Sequence, residues 1–420
     1  MKVLLLGSGG REHALARALL RDPQVTSLHV APGNPGTGQI ATNIDLDPLD
    51  PDAVAQWATA NQMDLVVVGP EAPLVAGVAD ALNAAGVPTF GPSAAAARLE
   101  GSKAFAKEVM AAAGVPTAEA RVCTGLEEVR AAMTEFGTPY VIKDDGLAAG
   151  KGVIVTADPD AASAHAQACL AKAGSQIVVE DYLDGQEVSL FCISDGTTVL
   201  PLQPAQDFKR AYDGGHGPNT GGMGAYSPLP WAPVSLTEEV LETVARPVIR
   251  EMARRGTPFV GVLYCGLALT SRGTRVIEFN ARFGDPETQV VLPRLTTPLA
   301  TLLHAAATGT LGEHGELEWT DRAAVTVVVA AEGYPDAPQP GGLVEGIEDA
   351  EARDGVHVIH AGTRNAPEGL VASGGRVVCV VGEGADLESA RGRAYAGVDR
   401  ISLPGSHYRR DIAKRAAAGH

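Results

Sequence analysis

Over the first hundred residues, short and largely apolar runs alternate with amphipathic stretches. Val3–Leu6, Leu28–Ala31, Leu65–Val68 and Pro88–Phe90 are strand candidates that mostly stop at Gly or Pro. Strands without polar alternation are buried on both faces, as in a parallel sheet. Arg11–Arg21, Ala53–Asn61 and Leu74–Ala85 carry the helical period between them. The pattern predicts a doubly wound, Rossmann-like parallel sheet over residues 1–101. The alanine-rich run Ser93–Glu100 and then Gly101 predict a connecting helix and a boundary.

The texture then changes. From about Thr117 to Glu187, helical runs Leu126–Phe136 and Ala161–Ala173 interleave with strands Tyr140–Lys143, Val153–Thr156 and Ile177–Glu180. This predicts a small α+β lobe inserted in a central domain spanning 102–322. Val188–Ser194, Val199–Gln203, Gly261–Thr270 and Arg275–Asn280 predict an antiparallel sheet for the rest of that domain. The segment Asp213–Gly224 is so rich in glycine that an irregular loop with free N–H groups is expected. In residues 323–420, strands Ala324–Ala330, His357–His360 and Arg376–Val381 and helix Leu387–Gly397 predict a small mixed β/α domain. The chain therefore reads as an α/β and α+β multidomain protein.

Composition narrows the function. Among 420 residues, 33 Lys and Arg face 50 Asp and Glu, a net charge of −17. That balance disfavours a general nucleic-acid or anionic-membrane binder, yet permits a local basic pocket. Five scattered cysteines without a CxxC pair argue against a disulfide framework or structural zinc, and for a reducing compartment. No apolar run approaches the roughly 20 residues of a membrane helix. A soluble, cytoplasmic protein is expected.

Three stretches carry candidate chemistry. Gly7-Ser8-Gly9-Gly10-Arg11-Glu12-His13 follows a strand and opens a helix, a setting for phosphate. As a dinucleotide fingerprint it fails, because Glu12 stands where the third glycine belongs. A small-phosphate site and a purely structural turn both remain open. The loop Asp145–Gly152 has three residues between Gly146 and Gly150, and Gly152 follows Lys151, so it is not a P-loop. Its N–H groups, with Lys143 and Lys151, could still cradle a triphosphate. In Val276–Arg282, period two places Ile277, Phe279 and Ala281 in the core and Glu278, Asn280 and Arg282 on the opposite face. A carboxylate and an amide oxygen about 7 Å apart suit Mg²⁺ shared with substrate phosphates. Without that ligand, the same pattern is an ordinary polar strand face.

Taken together, the lysines, the glycine loop between strands, the strand-end Glu180 and the Glu-x-Asn strand resemble the ATP-grasp nucleotide site. Gly7–Ala14, Ala31–Asn34, Val68–Leu74, Leu99–Lys103, Gly217–Pro228 and Glu278–Gln289 are similar to the glycinamide ribonucleotide synthetase family over nearly the whole chain. The resemblance implies an ATP-grasp core whose inserted lobe acts as a lid. It also implies a ligase of purine synthesis joining glycine to 5-phosphoribosylamine through a glycyl phosphate. ATP and Mg²⁺ or Mn²⁺ would be its cofactors, with no nucleic-acid or membrane partner and a monomeric state.

Position by position, the resemblance puts ATP on Lys103, Lys143, Gly150, Lys151, Glu180, Leu183, Glu187 and Asn280. Glu278 and Asn280 would hold the metal, and Arg282, Lys143 and Lys151 would serve the phosphoryl transfer. Gly9, Gly10, Asn34, Glu71, Asp207, Lys209, Asn219, Thr220, Gly222 and Arg282 would hold glycine and the sugar amine. Three departures stand out. Asp144 replaces the family's usual Ala, Phe208 replaces its His, and Ala171–Ser175 is shortened. Another ATP-grasp ligase or carboxylase, or a nucleotide-binding regulator without turnover, are the competing readings.

Overall fold

The computed structural model describes residues 1–146, 152–172 and 174–419. Gly150 and Lys151 lie outside the described residues. The N-terminal sheet is parallel and five-stranded, in the order Thr42–Asn43, Ser27–Pro32, Lys2–Gly7, Leu65–Val68, Thr89–Phe90. Its strand order reverses between Lys2–Gly7 and Leu65–Val68, and ligands of doubly wound sheets bind beyond the strand ends at such a switch point. Glu71 follows the second of these strands. The expected helix Leu74–Ala85 is two helices, Glu71–Val75 and Val78–Ala84, because Gly77 takes φ +88° between them.

The inserted lobe is a four-stranded antiparallel sheet, in the order Ala120–Cys123, Ile177–Glu180, Tyr140–Asp144, Val153–Thr156. Helices Leu126–Phe136 and Pro159–Leu170 cover one face. Val129, Met133, Ile142, Ala162, Ala166 and Ile177 form part of its core there. The helix Pro159–Leu170 starts earlier than its hydrophobic period suggests, because Asp158 caps it and proline occupies the first turn. The other face carries Val141, Lys143, Val153 and Val155, and it lines a large cavity. One strand thus splits its residues by parity between a core and a site.

A second antiparallel sheet runs Val199–Pro201, Gln186–Asp195, Val260–Thr270, Gly273–Asn280. A third has the order Gln206–Asp207, Gly224–Ser227, Ala323–Ala330, Arg376–Gly384, Val356–His360. Two strands of the central segment therefore hydrogen-bond directly into the C-terminal sheet. The glycine-rich stretch is more regular than expected: His216–Asn219 pairs with Arg210–Tyr212 as a short hairpin. Glycines at 214, 215 and 217 take positive φ and permit its tight return.

Candidate active site

The cavity encloses about 1,040 Å³. It is walled by the lobe's open face, the strand Gly273–Asn280, the hairpin, the N-terminal switch point and the C-terminal domain. On the lobe side, Lys143 is buried. Its Nζ reaches Glu180 Oε2 at 2.8 Å and the Ile277 carbonyl at 3.0 Å. Lys107, one helical turn beyond Lys103 on Lys103–Ala113, meets the other oxygen of Glu180 at 3.1 Å. Glu180 is therefore clamped between two ammonium groups rather than free beside a base, and Leu183 lies just beyond it on the wall. Lys103 donates to the Gly146 carbonyl at 3.1 Å. Asp145 accepts from Ser102 Oγ, Ala104 N–H and Gln176, which ties the start of the glycine loop to the helix beginning at Lys103.

The strand Gly273–Asn280 departs from strict alternation. Gly266 faces Glu278 while Leu267 faces Val276, so Ile277 is the extra residue of a bulge. Val276 and Phe279 fill the core, and Ile277, expected there, lines the cavity instead. The bulge aims the Ile277 carbonyl at Lys143. Glu278, Asn280 and Arg282 all reach the cavity, as the parity argument requires. Burial works against the Glu278 charge, but Lys209, Lys143, Lys103 and Arg282 hold its carboxyl below the usual range. Arg282 pairs with Glu100 at 3.0 Å and with Glu71 at 3.3 Å, and donates to Asn280 Oδ1 at 3.3 Å. Burial raises Glu100 despite Arg282, whereas Arg282 and Arg11 overcome burial at Glu71 and lower it.

Beyond Glu278 lie Asp207 and Lys209. Lys209 bridges to Glu187 at 2.5 Å. Burial pushes the Asp207 carboxyl up to about 7; Lys209 opposes the rise, and Glu287 and Glu187 add to it. Glu287 accepts from Ser189 Oγ at 3.0 Å and Tyr264 Oη at 2.5 Å on the cavity floor. Asn219 and Thr220 line the wall, and the Thr220 hydroxyl donates back to the Lys209 carbonyl at 2.8 Å. Phe208 packs against Tyr226 and lies beneath the Arg409 guanidinium, 4.9 Å from its ring centre. Asp144 faces the helices of the lobe, where it adds to burial in raising the Cys169 thiol.

Four expected substrate residues fall elsewhere. The N–H of Gly9 donates to Glu12 Oε2 at 2.7 Å, and Asp285 takes the N–H of Arg11. The helix start is thus filled by the protein's own carboxylates. A Cβ on Gly7 or Gly69 would strike the Glu12 side chain at 2.4 or 2.2 Å, so these glycines make room for Glu12. Gly10 packs on Gln289 and Ala361. Asn34 spends its amide on the Ser8 and His360 carbonyls and on the Thr37 N–H, stapling the N-terminal domain to the C-terminal one. Gly222 sits behind the wall against Pro286. Reasoning from sequence missed Lys107, Glu287 and Arg376. The spacing of Lys103 and Lys107 on one helix face was the available signal for the first.

Among the described residues no group of three or more His, Cys, Asp and Glu could hold a metal by itself. Glu278 and Asn280, side by side and ringed by cations, fit a hard ion that completes its shell with phosphate oxygens.

Profiles of the phosphoribosylglycinamide synthetase family match three stretches: its N domain at residues 1–100, its ATP-grasp (A) domain at 101–288 and its C domain at 324–415. A phosphoribosylamine–glycine ligase of Streptomyces coelicolor is 62% identical over 99% of this chain and 100% of its own. The crystal structure of a phosphoribosylamine–glycine ligase from Thermotoga maritima superposes with a TM-score of 0.85 at 31% identity, covering 98% of this chain and 100% of that one. A biotin carboxylase from Campylobacter jejuni shares the fold, with a TM-score of 0.72 at 15% identity over 97% of this chain and 92% of that one. The chain belongs to the phosphoribosylglycinamide synthetase family.

Proposed function

We infer that the chain is a phosphoribosylamine–glycine ligase: with ATP, it joins glycine to 5-phosphoribosylamine and releases ADP and phosphate. The observation that carries this reading is Glu278, kept anionic on the cavity wall among Lys103, Lys143, Lys209 and Arg282. Such a wall suits a triphosphate and a transferring phosphoryl group, whose chemistry asks for charge stabilisation and alignment. Val141, Val153 and Val155 offer an apolar face for a base, with Glu180 and Leu183 at its edge and Glu187 toward the ribose. Lys103 and Lys143 would give up carbonyl contacts for phosphate oxygens, and Lys151 would join them from the loop. The lobe that carries Lys143 would serve as the lid.

Glu278 and Asn280 would hold Mg²⁺ or Mn²⁺, which supplies charge neutralisation between the phosphates when bound. A glycine carboxylate oxygen attacks the γ-phosphorus and ADP departs, leaving glycyl phosphate. The sugar amine attacks the acyl carbon; the C–N bond forms, the C–O bond breaks, phosphate leaves, and the nitrogen loses a proton. Arg282 would steady the charge on the acyl phosphate, and Asp207, Lys209, Asn219 and Thr220 would hold the two acceptors. Glu71 and the switch point would border the sugar. We propose that the active form is a monomer, in the cytoplasm. The test is ATP turnover with glycine and freshly generated phosphoribosylamine, singly and together. ADP and phosphate in step with amide formation are expected; AMP and pyrophosphate would overturn the reading.

A further inference from the structure

On the cavity wall, two side chains of the C-terminal domain, Tyr334 and Arg376, converge on one residue, Gly221. The Gly221 N–H donates to Tyr334 Oη at 2.9 Å, and the Gly221 carbonyl accepts from Arg376 Nη1 at 2.7 Å. Both faces of the residue are thus fixed from outside its own segment. The contact is close: a Cβ on Gly221 would lie 3.0 Å from Arg376 Cζ. Tyr334 is seated as tightly, since a Cβ on Gly375 would fall 2.2 Å from its ring. Arg376 also donates to the Asp285 carbonyl at 2.8 Å and pairs with Asp285 Oδ2 at 3.2 Å. Asp285 in turn takes the N–H of Arg11 at the start of the first helix. The guanidinium thus joins the C-terminal domain to the central one, and Asp285 links both to the N-terminal helix; its donors go to backbone carbonyls and one carboxylate.

We propose that Tyr334 and Arg376 are positioning residues. They fix the peptides on both sides of Gly221 and the Asp285 loop, and so hold Asn219 and Thr220 in place at the sugar-amine end of the cavity. The inference rests on the ligase reading above and deepens it. A planar guanidinium that serves two carbonyls and a carboxylate at once cannot be replaced by a point-charge ammonium. Among the described residues, the hydrogen bonds and ion pair of Tyr334 and Arg376 go to Gly221, Gly222 and Asp285, none to the lobe or the helix at Lys103.

The test is steady-state kinetics of the full chain as Tyr334→Phe, Arg376→Lys and the double variant, with binding of a fluorescent ATP analogue measured separately. Each single variant should raise the KM for phosphoribosylamine roughly tenfold, with kcat and ATP affinity changed by less than about threefold. Because both side chains hold one residue, the double variant should be little worse than the poorer single one. Unmoved KM values, an equal loss of ATP affinity, or fully additive penalties would overturn the proposal. If Arg376→Lys fails to fold, Tyr334→Phe carries the test alone, since it deletes one oxygen. Absence of turnover in the parent would overturn the ligase reading instead, and normal parent turnover with unmoved variants would overturn only the clamp.

Discussion

Two regions of this molecule present the same invitation to an anion, and only one leaves it open. At the N-terminus, Gly7 and Gly9 precede a helix that opens at Gly10, yet Glu12 and Asp285 have taken the Gly9 and Arg11 N–H groups there. On the grasp wall, Lys103, Lys143, Lys209 and Arg282 all act on the Glu278 carboxyl and face the cavity. The difference teaches that glycine and a helix dipole describe a possibility, while open space beside the donors decides what can enter. At the turn, two of the donors already have carboxylate partners. On the wall, the cations face an open cavity, where a polyanion can reach them.

The largest effect should come from the open region. Glu278→Gln keeps the shape but removes the anionic oxygen, and turnover should fall on the order of 10²-fold or more. Parent-like turnover with unchanged divalent-ion dependence would remove Glu278 from the metal site. Lys143→Met should cost about 3 kcal/mol of stability, because the buried Glu180 loses one of its two partners, and nucleotide affinity should fall as well. Denaturant unfolding and nucleotide titration check the two halves. Stability lost with affinity intact would make Lys143 a structural ion pair only.

The closed region should behave differently. Gly10→Val crowds Gln289 and Ala361, where even a Cβ would sit 3.0 and 3.3 Å away, and should destabilise by about 1–3 kcal/mol. Nucleotide affinity should not change. A fully stable Gly10→Val chain that had lost the sugar amine would mean the turn holds phosphate after all.

The last contrast is a pH dependence. Asp207, its pKa raised by burial to about 7, binds a proton in the folded state that the unfolded chain releases near pH 4. Its protonated form therefore favours folding at low pH, and that contribution is lost as pH rises through about 7. Asp207→Asn should gain stability relative to the parent between pH 5 and 8. A pH-independent difference in unfolding midpoint would contradict the shift.

Much of the fold was legible because its strongest signals are local. Ile177–Glu180 and Val153–Thr156 stand where their apolar runs place them, and parity on Tyr140–Asp144 separates Ile142 from Lys143. Glu278, Asn280 and Arg282 were legible for the same reason. The bulge at Ile277 was not, since nothing in the residue itself announces an extra position in the ladder. Nor was the fate of the N-terminal turn, because Asp285 reaches it from a segment far along the chain. The continuity of Gly224–Ser227 with Ala323–Ala330 is likewise a long-range pairing that periodicity cannot show.

The central claim is that the cationic wall serves transfer of a phosphoryl group to the glycine carboxylate. Ligation run with glycine labelled by ¹⁸O in its carboxylate tests it most directly. The account predicts one ¹⁸O in each phosphate released, carried from glycine when the acyl C–O bond breaks. Unlabelled phosphate formed alongside the amide would contradict it.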